Sequence, residues 1–184
     1  LSLFNTSINA WHDALMTKDG VQDPFTPKIT STKPGSFSET YDASLSKINR
    51  KIDGLKKPAR DAGNWCYGPE SIAVKERICQ MLYTRYQQRN GDQFTKRCVQ
   101  TTKVLIMVNS AAADLRFRAC ADGDRNLSHN QVAIRMGIDR SSFSKTWADG
   151  YEDMIDHVWA LARDGLTEVE VLVNQMNVEH QRAG

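Results

Sequence analysis

Apolar positions recur at helical spacing over most of the chain. Leu45, Ile48, Ile52 and Leu55 fall at three- and four-residue intervals and form one stripe. Lys47, Arg50, Lys51, Lys56 and Lys57 occupy much of the remaining surface, and Pro58 ends the helix that this pattern predicts. A charged face of this kind is either solvated or meets phosphates. A second stripe, Ile72, Val74, Ile78, Met81, Leu82 and Tyr86, opens behind Pro69 and Glu70 and closes at Asn90 and Gly91. The third is the longest: Phe94, Cys98, Thr101, Leu105, Val108, Ala112, Leu115 and Ala119 alternate steps of four and three. A helix from Asp92 to about Cys120 would run roughly 40 Å at 1.5 Å per residue. Its middle, KVLIMV, is apolar on several faces and points to a central core helix. A seam between two copies of the chain is the alternative.

The segments around these stripes break the pattern. Residues 1–40 read as an irregular arm with one short amphipathic helix from Asn9 to Thr17, set by Ile8, Trp11, His12 and Leu15. Pro24, Pro27 and Pro34, with Gly20 and Gly35, interrupt regular structure, and KITSTKPGSFS reads as a linker. Trp11, Phe25 and Phe37 dock either on the chain's own core or on a partner. Asp61 to Pro69 (DAGNWCYGP) reads as a loop in which Trp65 and Tyr67 anchor to the core or stand exposed for stacking. ADGDRN at 121–126 is a linker. Beyond Trp147, the run Ala148-Asp149-Gly150 permits a break. Met154, Ile155, Val158, Trp159, Leu161 and Ala162 then predict a helix ending at Gly165. Thr167 and Glu170 have capping-box spacing for a last amphipathic helix through Val169, Leu172, Val173 and Met176, frayed over NVEHQRAG. That helix packs inward or joins copies of the chain.

The stretch LSHNQVAIRMGIDRSSFSKTW, 127–147, carries the most specific pattern. Ser128 can cap a helix whose Val132 and Met136 share a face, with small Ala133 beside them. Gly137 is free to take φ > 0 and turn the chain, and Ile138 plugs the turn. Asp139 or Ser141 can cap a second helix in which Phe143, with Thr146 or Trp147, faces inward. Arg140, Ser141, Ser142, Ser144 and Lys145 then face outward, short donors between two cations, suited to phosphates and base edges. The spacing is that of a helix-turn-helix. A compact helix pair without nucleic-acid function is the plainer reading.

The 184 residues, 40% hydrophobic and 25% charged, suit one globular domain or a domain with a smaller module. No apolar run reaches the roughly 18 residues of a membrane span, and the start lacks the basic and apolar regions of a signal peptide. Cytoplasmic residence is the expectation. Cys66, Cys79, Cys98 and Cys120 are too widely spaced for a metal knuckle and read as buried reduced thiols. No metalloprotease, hydrolase, P-loop or dinucleotide pattern occurs, so neither an enzyme nor a cofactor or metal is expected. Net charge is +2, unevenly spread. Residues 1–40 carry three Lys/Arg against four Asp/Glu, 41–120 fifteen against seven, and 121–184 six against eleven. Phosphate neutralisation draws on cations. The split therefore assigns phosphate contacts to the middle and a protein contact to the acidic third.

QVAIRMGIDRSSFSKTW resembles the helix-turn-helix of phage transcription regulators, among them the lambda lysogeny activator, whose turn has the pattern of Gly137-Ile138-Asp139-Arg140-Ser141. NWCYG at 64–68 followed by this motif from 127 is similar in order to the Q antiterminators of lambdoid phages, of the type without zinc-binding cysteine pairs. The resemblance implies a protein that binds promoter-region DNA and engages RNA polymerase or its sigma factor. Expected architecture is an all-α bundle: an arm (1–40), a basic helical domain (41–122), a helix-turn-helix region (123–165) and a C-terminal amphipathic helix (166–184). Arg140, Ser141, Ser142, Ser144 and Lys145 would enter the major groove of duplex DNA. His129, Asn130, Gln131 and Arg135 would lie near phosphates, with Lys56, Lys57 and Arg60 as more remote contacts. The alternatives are a phage small terminase subunit, in which the helices assemble a ring, and a helical interaction module that binds no DNA.

Overall fold

The computed structural model describes residues 3–18, 37–96, 101–120 and 127–183. Among them are eight helices and no strand: α1 (Ser7–Lys18), α2 (Phe37–Gly54), α3 (Lys57–Tyr67), α4 (Ile72–Lys96), α5 (Thr101–Cys120), α6 (His129–Met136), α7 (Arg140–Thr146) and α8 (Ala148–Ala183). The all-α expectation holds. The linkers expected at 28–38 and 121–126 fall mainly or wholly outside the described residues, as do Pro24, Pro27, Pro34, Phe25 and Cys98.

Two compact units divide the chain. The first comprises residues 1–69 and 163–184. Its core is the α2 stripe, Leu45, Ile48, Ile52 and Leu55, together with Trp11 of α1, Trp65 and Tyr67 of α3, and Val169, Val173 and Met176 of α8. Trp11 is fully buried and its indole Nε1 donates to Asn64 Oδ1 at 3.1 Å. The Asn49 amide donates to the Ala14 carbonyl at 2.8 Å, and the Asn177 side chain accepts from the backbone N–H groups of Leu3 and Phe4. Burial, and then the hydrogen bond to Asp13, push the Tyr41 phenol well above its ordinary pKa.

Several boundaries differ from the periodicity, and glycine explains three of them. The stretch 61–69 is helix α3 as far as Tyr67, not a loop. A Cβ at Gly63 would collide with the Trp11 ring, so the glycine is there for close approach rather than for a turn. Gly165 does not end a helix: α8 passes through it, and a Cβ there would lie 3.3 Å from both the Trp11 ring and the Ala59 carbonyl. Gly150 likewise continues α8, with the Tyr86 ring lying 2.8 Å from where a Cβ would be. Thr167 consequently caps nothing; inside α8, its hydroxyl donates back to the Arg163 carbonyl at 3.0 Å. The C-terminal run is helical to Ala183. Pro58 stands in the first turn of α3, where its missing N–H costs nothing, while α2 has already ended at Gly54.

The second unit spans 70–162. Gly91 interrupts α4 with φ 41° and ψ −128°, a break where the sequence places one, and α4 resumes to Lys96. Of the single long helix expected from Asp92, residues 97–100 lie outside the described set and α5 begins at Thr101. Val104, Met107, Val108, Ala111, Ala112 and Leu115 are buried, the broad apolar face of a core helix. Leu105 is 48% exposed, so the predicted apolar stripe does not all face inward.

Candidate nucleic-acid interface

The α6–turn–α7 segment is fixed at its start by a buried acid. Asp114 of α5, fully buried, accepts from the Leu127 backbone N–H at 2.9 Å and from the Tyr151 hydroxyl of α8. Ser128 then caps α6 in a complete capping box: its hydroxyl accepts from the Gln131 N–H, and Gln131 Oε1 accepts from the Ser128 N–H at 2.7 Å. Val132, Ala133 and Met136 are buried. Gly137 takes the left-handed conformation, φ 66° and ψ 38°, and the N–H of Ile138 returns to the Ala133 carbonyl at 3.0 Å. Asp139 caps α7, which settles the choice between Asp139 and Ser141. Its carboxylate accepts from the Ser142 N–H at 2.8 Å and the Ser142 hydroxyl at 2.5 Å, and these bonds hold its pKa below the usual carboxylate range.

Phe143 is the buried residue of α7, and Trp147, not Thr146, joins it inside. Phe143 meets His129 at 5.3 Å and Tyr151 at 5.8 Å between ring centroids, while Trp147 stacks on Tyr86. Arg140, Ser141, Ser142, Ser144 and Lys145 are all exposed. At 3.6 residues per turn, Ser141 and Lys145 stand about 160° and 200° around α7 from Phe143. These two therefore form its outermost ridge. Ser144 flanks them, Arg140 reaches from the first turn, and Ser142 is committed to the Asp139 cap.

The proposed phosphate neighbours separate in the same way. Asn130 and Arg135 are exposed on α6. Gln131 is held in the capping box, and His129 Nε2 lies 2.6 Å from Glu152 Oε1. Lys56, Lys57 and Arg60 belong to the other unit. Both lysines are exposed, whereas Arg60 is half-buried and donates to the Asp53 carbonyl at 3.1 Å.

Much of the charge split along the sequence is settled inside the second unit. Asp153 of α8 receives a bidentate pair from Arg85, 2.7 and 2.9 Å, and a further contact from Arg89 at 3.0 Å. The Arg85 hydrogen bond holds the Asp153 carboxyl below its usual range and raises the guanidinium in turn. Arg118 pairs with Asp156 at 3.1 Å and lies over the Trp159 ring. The basic middle thus spends Arg85, Arg89 and Arg118 on the acidic face of α8, with Asp153 and Asp156 paired within the unit and the Asp156 side chain still 63% exposed. Periodicity missed Asp114 and Glu152, which act across 13 and 23 residues of sequence. The one available sign was a carboxylate inside the apolar run AAADLRF.

Cys66 is buried and Cys79 half-buried, and burial pushes the Cys79 thiol up. No group of three or more His, Cys, Asp or Glu among the described residues could hold a metal ion. No helix among them is long and apolar enough to cross a membrane. No curated protein and no solved structure matches the chain. A model of the family described as phage antitermination protein Q matches residues 33–183, taking in α2 through α8. With most of its length so matched and its order of elements as described, the chain belongs to the phage antitermination protein Q family.

Proposed function

We propose that the chain is an antitermination factor that reads duplex DNA through α7 and engages RNA polymerase or its sigma factor. The observation that carries the reading is the state of α7: a short helix, capped by Asp139 and pinned by Phe143, with Ser141, Ser144, Lys145 and Arg140 exposed. Short donors between cations match base edges and phosphates in the major groove. Asn130 and Arg135 supply backbone contacts from α6, whereas Gln131 and His129 hold the frame. Family membership supports the antitermination role. A polymerase contact follows from what antitermination acts upon. It uses residues other than Glu152, Asp153 and Asp156, which are already paired.

Selection of the purified protein on random duplex DNA, with sequencing of the retained fraction, tests this. An enriched motif is expected, and Arg140→Ala or Lys145→Ala should relax it at single positions, at a cost of about 1–3 kcal/mol where the side chain makes a specific base contact. An unchanged motif and affinity in both variants would remove α7 as the reading element.

A further inference from the structure

We infer that the first unit carries its own sequence-independent surface for the phosphate backbone of duplex DNA, formed by Lys47 and Arg50 of α2 with Lys56 and Lys57 at the start of α3. All four are exposed, and none takes part in an ion pair among the described residues. They differ in this from Lys51, which pairs with Glu168 at 2.7 Å, and Arg60 is set apart by its hydrogen bond to the Asp53 backbone carbonyl. Lys47 and Arg50 lie on the side of α2 opposite the buried Leu45, Ile48 and Ile52. Asp53 flanks this ridge rather than standing on it.

The side chains of the two lysines do nothing to cap the helix they begin. They stand at the positive end of the α3 dipole, no side chain caps that end, and no acidic residue in its first turn offsets them. Charge kept where folding gains nothing from it points to an external anion. From Lys47 to the end of α2 the ridge runs roughly 10 Å, about three base-pair steps of a duplex at 3.4 Å each. Single-stranded RNA is the poorer fit, because such binding draws on exposed aromatic platforms. The aromatic residues of α3, Trp65 and Tyr67, are 2% and 4% exposed.

The test is a salt series on the full chain with random-sequence duplex, comparing the native protein with one carrying Lys47→Ala, Arg50→Ala, Lys56→Ala and Lys57→Ala. The slope of log affinity against log salt should fall by about 3–4, at roughly 0.9 for each phosphate that is no longer neutralised. A second variant, Lys47→Arg, Lys56→Arg and Lys57→Arg, should keep the native slope. The motif selected from random duplex should survive the alanine changes. An unchanged slope, an arginine variant that behaves like the alanine one, or a loss confined to single-stranded RNA would each overturn the inference. Arg140→Ala separates this surface from the α7 reading: it should change base preference and shift the slope by no more than about one.

Discussion

Asp114 and Gly63 each decide more than their local sequence discloses. Asp114 holds the Leu127 N–H and the Tyr151 hydroxyl from inside the core. Asp114→Ala removes that buried acceptor and should cost about 1–3 kcal/mol, read from the denaturant midpoint, since a buried donor stripped of its partner keeps its desolvation penalty. Tyr151→Phe should cost less, because the ring packing survives the loss of the hydroxyl. Two glycines make a paired test. Gly63→Ala forces a methyl group into the Trp11 ring and should destabilise by about 1–3 kcal/mol. Gly54→Ala, with nothing within 4 Å of the new Cβ, should be neutral or stabilise by up to about 1 kcal/mol through the unfolded chain. Equal effects at the two positions would show that the Trp11 contact is not what fixes Gly63.

At the scale of elements, α7 has seven residues and draws its order from its ends. Asp139→Ala should cost about 1 kcal/mol of stability through the missing cap. On the proposed reading of α7 it should also weaken DNA binding by freeing the Ser142 hydroxyl and loosening the first turn; a circular-dichroism melt and a binding titration check the two effects separately. The α4–α8 pairing gives a pH dependence. Because Arg85 holds the Asp153 pKa in the folded protein below its unfolded value, the contribution is present above the unfolded carboxylate pKa of about 3.9 and is lost as pH falls through the folded one. Melting temperature should therefore fall below about pH 4, and Arg85→Met should flatten that acid limb. An identical limb in the variant would place the acid sensitivity elsewhere.

For the whole molecule, the first unit's core includes a helix that precedes the family match. That match begins at residue 33, yet α1 supplies the fully buried Trp11. Trp11→Ala should cost about 3–5 kcal/mol, as large aromatic truncations do, measured by chemical denaturation of the full chain. The sequence alone determined the helical class, the α2 stripe, the break at Gly91 and the frame of α6–turn–α7 with its Ser128 cap and Gly137 turn, while the structure chose Asp139 over Ser141 as the second cap and Trp147 over Thr146 as the inward residue. These are local matters: a 3.6-residue period, a capping hydroxyl and a left-handed glycine act within a few residues of themselves. Tertiary structure decided the rest. Gly63, Gly150 and Gly165 read as breaks because a glycine's neighbours in sequence cannot disclose which ring will lie against it. The acidic third reads as a partner surface in the sequence, but Arg85, Arg89 and Arg118 stand opposite Asp153 and Asp156, 38 to 68 residues away in sequence for the bonds to Arg118 and Arg85. Contacts across such separations depend on the packed core, and no local pattern encodes them.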